Sequence, residues 1–291
     1  MPLNRELLGR VYESQTGFEV SAEAIRAYAL ATNSTNTRYL GQGAVVAPPC
    51  FCVAVSREVL ARALLDPDLH VDLPRLLHTD QVMRFHQPLR PGDRLRARTT
   101  VSFFDDKRTG ECMDLQSQIH RENGALVYES VVGIFIRYEE RKASDALLPP
   151  IGTPRSELPR VPAGAETLVE ASVEVAADQS VRYAAASGDD NPIHLDETFA
   201  RSVGLPGIIL HGLCTLAMAQ HAIVDGVAGG DPTVLRALSC KFTRPVLMGD
   251  TLTTRGQRLD EGDGVLRLGF EVLNQAGKAV IKDGVAEIAR G

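Results

Sequence analysis

The feature that most constrains what this chain can fold into is an internal repeat. The stretch "VRYAAASGDDNPIHL" (181–195) lies over "IRAYALATNSTNTRYL" (25–40), placing Tyr183 on Tyr28, Ser187 on Thr32, Asn191 on Asn36 and Leu195 on Leu40. Further along, "KFTRPVLMGDTL" (241–252) matches "RFHQPLRPGDRL" (84–95), with Phe242 on Phe85, Pro245 on Pro88, Gly249 on Gly92 and Asp250 on Asp93. Both matches keep nearly the same offset, so the chain reads as two tandem copies of one unit, and any fold proposed for one must serve the other. A length of 291 residues accommodates two domains. Between the copies, "RKASDALLPPIGTPRSELPRVPA" (141–163) has five prolines and no periodicity, which predicts an extended linker over the surface. The expected boundaries are 1–140, 141–163 and 164–291.

Each copy shows the same order of elements. A short helix (about 22–32 and about 177–187) leads into a polar turn, and a longer apolar helix follows (about 50–65 and about 212–225). The later long helix, "GLCTLAMAQHAIVD", is apolar on most of its circumference, as expected of a helix enclosed by other structure. Then come strands with alternating apolar residues, such as Met113, Leu115, Ser117, Ile119 and Leu266, Leu268, Phe270, Val272, separated by turns at "ENG", "EGDG" and "NQAG". A buried helix followed by an antiparallel meander is an α+β layout, and two such units could join their sheets.

The net charge of −6 offers no general attraction for nucleic acid or an anionic membrane. The apolar runs are too short and interrupted to cross a bilayer, and "MPLNRELLGR" has no apolar signal segment, so a cytoplasmic protein is expected. Five cysteines, odd in number and mostly within apolar stretches, point to buried thiols rather than disulfides. Cys50-x-Cys52 lacks the second pair that a zinc site needs. Gly226, Gly229 and Gly230 lack phosphate-loop spacing and read as a loop after a helix.

"YAAASGDDNPIH" (183–194) followed by "GLPGIILHGLC" (204–214) resembles the hydratase 2 motif of the MaoC-like dehydratase family. "APPCF" (47–51) and "LHTDQVMRFHQPLRPGDRL" (77–95) resemble the dehydratase-like hot-dog that precedes it in two-domain members. The resemblance implies a double hot-dog acting as an (R)-specific 2-enoyl-thioester hydratase, or in reverse as a 3-hydroxyacyl-thioester dehydratase. Its substrate would be an acyl-CoA or acyl-carrier-protein thioester, with no cofactor or metal, and the double hot-dog could pair as a homodimer.

Water addition to an enoyl thioester needs a positioned acid/base pair and donors for the enolate oxygen. The Asn191-Pro192 step stiffens the turn between Asp189 and His194, so the two could face one another over a single water. By resemblance they are the catalytic dyad, Asn191 orients them or the water, and the backbone N–H of Gly212 is the oxyanion donor at a helix N-terminus. His211 reads either as a substrate contact or as a packed histidine. His78 and His86 read as surface or structural, Cys214 as an inward-facing small residue, and Asp196 and Glu197 as the start of the next turn. In the first copy Ser34 and Tyr39 stand at the aligned positions of Asp189 and His194, so that copy lacks the pair and is expected to support the sheet and shape the acyl pocket. Two other functions on this fold compete. A thioesterase would place an acid along the central helix, where the first copy carries Glu58; a non-catalytic thioester-binding subunit would need neither Asp189 nor His194.

Overall fold

Alternating strands and one enclosed helix per copy produce a single continuous antiparallel sheet. The computed structural model describes residues 2–41, 45–139, 146–155 and 165–290. In the first half, β1 (Val11–Glu13), β2 (Phe18–Glu19), α1 (Ala22–Ala31), α2 (Thr37–Leu40) and α3 (Cys52–Leu64) precede β3 (Leu76–Phe85), β4 (Arg94–Lys107), β5 (Gly110–Arg121) and β6 (Leu126–Arg137). After β7 (Ile151–Gly152), the second half comprises β8 (Thr167–Glu174), α4 (Gln179–Ser187), α5 (Glu197–Ser202) and α6 (Gly212–Val227). It ends with β9 (Leu235–Phe242), β10 (Thr251–Gly262), β11 (Val265–Leu273) and β12 (Ala279–Ala289). The strand order is β1-β4-β5-β6-β3-β9-β12-β11-β10-β8, with β2 and β7 also on β4. The halves meet where β3 pairs antiparallel with β9, Asp80 opposite Lys241 and Arg84 opposite Ala237.

The repeat is visible in detail. Tyr28 and Tyr183, aligned in sequence, are fully buried and touch each other with ring centroids 5.7 Å apart. Gly92 (φ +90°) and Gly249 (φ +85°) take the same left-handed conformation, for which glycine is suited. Beside them, Asp93 accepts from the Arg90 amide (2.8 Å) and Asp250 from the Leu247 amide (2.9 Å). Asn36 and Asn191 both cap a short helical turn, accepting from Arg38 N and Ile193 N. The alternating residues predicted to face inward, among them Met113, Leu115, Leu266 and Phe270, are buried. All five cysteines are free thiols, and four are buried.

One expectation needs correction. Gly226 belongs to α6 rather than to the loop after it, because a bare Cα there lets the helix approach Val169, which a Cβ would meet at 2.9 Å. The described part of the predicted linker runs extended over the surface and is anchored there. Most of 141–163 lies outside the described residues, but 146–155 is tied to the first half. Ile151 and Gly152 pair with Phe104 and Phe103 of β4. Arg155 forms ion pairs with Asp80 and Asp114, whose side chains are 10% and 0% exposed. It lies over Gly133, where a Cβ would come within 2.8 Å of the guanidinium carbon. Two buried carboxylates thus share one cation, and removing it leaves both uncompensated. Arg155→Met is expected to cost about 3–5 kcal/mol in urea unfolding. Adding Asp114→Asn to that variant should recover part of the loss; equal stability of Arg155→Met and the parent would contradict this assignment.

Candidate active site

The turn after α4 is built by local hydrogen bonding. Gly188, at φ +75°, ends the helix in the left-handed conformation. The Asp189 amide then donates to Ser187 Oγ (3.2 Å), and the Asn191 amide lies 3.4 Å from Asp189 Oδ1. Pro192 opens a single 3-10 turn, and His194 N donates to Asn191 O (3.0 Å), folding the chain back. His194 consequently points inward and is buried, while Asp189 stays half-buried at the rim.

Three side chains predicted from the sequence come together here. One polar atom from each of Asp189, His194 and His211 lies within 4.8 Å of the other two. The imidazoles of His194 and His211 stack with centroids 3.7 Å apart, and Tyr183 packs on His211. His194 Nδ1 is 2.8 Å from the Ile209 carbonyl, and His211 Nε2 is 2.9 Å from the Asp189 carbonyl. A carbonyl only accepts, so these nitrogens carry the hydrogens when the rings are neutral. That leaves His194 Nε2 and His211 Nδ1 as lone-pair acceptors. His211 Nδ1 is buried with no hydrogen-bond partner among the described residues.

Electrostatics separate the acid from the bases. Burial alone would raise the Asp189 pKa, but Arg57, His211 and His194 together outweigh it and hold the carboxyl below its usual range. Burial lowers His194 despite its bond to Ile209 O. Burial and the adjacent His194 hold His211 at about 4. Near neutral pH the site therefore holds a carboxylate and two uncharged imidazoles. The same three donors could be read as a metal site; the Arg57 guanidinium, 3.2 Å from Asp189 Oδ1, already supplies that carboxylate with a cation.

Gly212 is the first residue of α6, with His211 as its cap residue and no side-chain cap bond. First-turn amides of a helix lack intrahelical acceptors and lie at the positive end of its dipole. The Phe242 ring covers the glycine, since a Cβ there would lie 3.1 Å from it. His78, read as surface or structural, packs edge-on against Phe242 at 4.8 Å, whereas His86 is exposed and pairs with Glu129. The Asn191 side chain is exposed and occupied as a turn cap, so only its backbone reaches Asp189. Asp196 caps α5, Glu197 accepts from Ile208 N and pairs with Arg201, and Cys214 is fully buried.

Sequence reasoning missed Arg57. In the sequence, it falls among Glu58 and Arg62 on the polar side of an amphipathic helix, and nothing local distinguishes it from a solvated charge. At the equivalent turn of the first half the polar atoms are packed away: Tyr39 is fully buried, and Thr32 Oγ1 meets His221 Nε2 at 2.8 Å.

Burial also keeps His221 neutral, at about 3. Unfolded histidines titrate near 6.5, so below that pH the unfolded chain binds more protons than the fold does. Stability is accordingly expected to fall as pH drops from about 6.5 toward about 4, measured as a declining urea midpoint, with a shallower decline in His221→Gln. A midpoint independent of pH over that window would show these rings are not buried neutral.

Comparison with known proteins agrees with both halves. A MaoC like domain matches residues 160–276, and a FAS1-like dehydratase domain region matches residues 6–130. The 3-hydroxyacyl-thioester dehydratase Y of Mycobacterium tuberculosis is 32% identical over 225 residues, 74% of this chain and 73% of that protein. The peroxisomal enoyl-CoA hydratase 2 of Arabidopsis thaliana is 28% identical over 228 residues, 74% of this chain and 70% of that protein. Among solved structures, a MaoC-like dehydratase from Phytophthora capsici superposes with a TM-score of 0.83 at 23% identity, covering 99% of this chain and 100% of that one. A Mycobacterium tuberculosis protein described as a double hotdog gives 0.68 at 17% identity, covering 99% and 98%.

Proposed function

Since this chain belongs to the MaoC-like dehydratase family, as a hydro-lyase with the double hot-dog fold, we propose that it hydrates 2-enoyl thioesters to (R)-3-hydroxyacyl thioesters, or runs the reverse dehydration. The observation that carries the reading is the convergence of Asp189, His194 and His211 within 4.8 Å beside the first turn of α6. The (R) stereochemistry follows from the family resemblance.

In this mechanism the Asp189 carboxylate and the unprotonated Nε2 of His194 hold one water. As its oxygen bonds to the β-carbon, the pair takes up a proton, and a proton passes from the pair to the α-carbon, so that one water is added in total. The negative charge on the thioester oxygen meets the Gly212 N–H and the α6 dipole. His211 positions the other two by stacking on His194 and bonding the Asp189 carbonyl. Domain roles divide accordingly: 164–291 carries the chemistry, 1–140 is non-catalytic, and the segment between joins them. The first half offers a cleft of about 380 Å³ between α3, α1 and β4, lined by Phe18, Phe51, Ala54, Val55, Leu95 and Ala97. It reaches Arg57 and Gly188 beside the turn, and its size and apolar lining suit an acyl chain. Glu58 on α3, the acid that a thioesterase would use, also lines this cleft and accepts the Gln15 amide at 3.1 Å, so the assay below follows thiol release as well as hydration.

Purified protein is expected to bleach the conjugated-thioester absorbance of crotonyl-CoA or a longer enoyl-CoA, yielding the (R)-alcohol on chiral analysis. Asp189→Asn and His194→Gln should each lower kcat by about 10²- to 10⁴-fold at unchanged thermal midpoint. Release of free CoA thiol without hydration, or full activity in either variant, would reject the mechanism.

A further inference from the structure

Arg57 lies midway along α3, in the half whose own turn has no acid or base, yet its guanidinium reaches into the other half. Its Nη2 lies 3.2 Å from Asp189 Oδ1 and 3.6 Å from Asp190 Oδ1. The stem runs past the end of α4, where a Cβ at Gly188 would stand 3.7 Å from Arg57 Cγ. The side chain is about three-quarters buried, and its Nε has no hydrogen-bond partner among the described residues. Asp190 is 87% exposed, so solvent screens that contact, and the pair with Asp189 is the stronger of the two.

The helix–turn contact is reciprocal, and the two versions differ in charge. Where α6 meets the first-half turn, Asn36 Nδ2 donates to Asp225 Oδ1 (3.0 Å), Gln220 Nε2 approaches the Tyr39 hydroxyl (3.5 Å) and His221 meets Thr32. No cation from α6 faces that turn among the described residues. Where α3 meets the second-half turn, Arg57 faces Asp189.

We propose that Arg57 is a positioning residue for Asp189: it holds one carboxylate oxygen and leaves the other to the reacting water, so that the half without acid/base groups supplies the counter-cation for the half that has them. This inference rests on Asp189 being part of the acid/base pair. The other groups within electrostatic reach of that carboxylate are Asp190 in the same turn, His194, His211 at the start of α6, Tyr183 from α4 and His78 from β3. Burial keeps the Tyr183 hydroxyl protonated and His78, at about 4, uncharged near neutral pH. Among the described residues, Arg57 is therefore the full positive charge that Asp189 meets there. It also lowers His194, so the acid limb moves the same way whichever of the two groups sets it.

The test is the pH dependence of crotonyl-CoA hydration by the full chain, alongside a ¹³C-carboxyl NMR titration of Asp189. Arg57→Gln is expected to lower kcat by roughly 10- to 100-fold with little change in KM. It should also shift the acid limb and the Asp189 titration up by roughly one pH unit. Arg57→Lys, which keeps the charge, should restore most of the limb and part of kcat. A loss of thermal stability with the acid limb and titration unmoved would make Arg57 merely structural and overturn the proposal, as would wild-type kinetics in Arg57→Gln. If the parent protein hydrates no enoyl thioester, the dyad reading fails by itself; the NMR titration still reports whether Arg57 is the counter-ion of Asp189, and an unmoved Asp189 titration in Arg57→Gln overturns the present inference.

Discussion

The pairing of β3 with β9 is the constraint on which the rest depends. It makes one sheet of two copies and sets their helices side by side, so that each long helix packs on the other copy's polar turn. Tyr28 and Tyr183 mark the contact, fully buried against one another. The second-half turn is composite in this arrangement: Asp189 and His194 come from one half, and Arg57 beside them comes from the other. The first half thus lends a side chain to that turn, although its own turn carries Ser34 and Tyr39 where the other carries Asp189 and His194.

The two turns share one backbone layout and differ in their side chains. Both keep the asparagine cap that folds the chain back, because the backbone geometry of the shared layout needs it. Where Asp189 and His194 stand, the turn keeps a half-open carboxylate, a cation and a cleft beside it. Where Ser34 and Tyr39 stand, the polar atoms are buried and bonded to α6 or enclosed by it. Burial of uncharged polar groups costs little when they are hydrogen-bonded, so the first-half turn can serve as packing.

Much of this was legible in the sequence because repetition constrains both copies at once. The paired tyrosines, the Gly92 and Gly249 turns and the alternating strands follow from local patterns that each copy repeats. The meeting of Asp189 and His194 follows from a stiff turn of short reach. What could not be read depends on contacts between distant segments. Arg57 looks like any charge on an amphipathic helix until β3 and β9 bring α3 against the second-half turn. Arg155 sits among prolines that suggest an extended linker over the surface; the two buried aspartates that hold it lie on separate strands. Gly226 resembles a loop glycine because only the proximity of Val169 makes a side chain there impossible without a shift. His78 likewise gains its place near α6 only through Phe242, across the joined sheet.

The proposed role of Asp189 and His194, holding one water opposite the first amide of α6, is tested most directly by a crystal structure of the protein with a bound enoyl thioester. The thioester oxygen is expected within hydrogen-bond distance of Gly212 N, with a water between Asp189 and His194 Nε2 facing the β-carbon. A thioester bound with its carbonyl remote from Gly212, or with no water reaching both side chains, would contradict it.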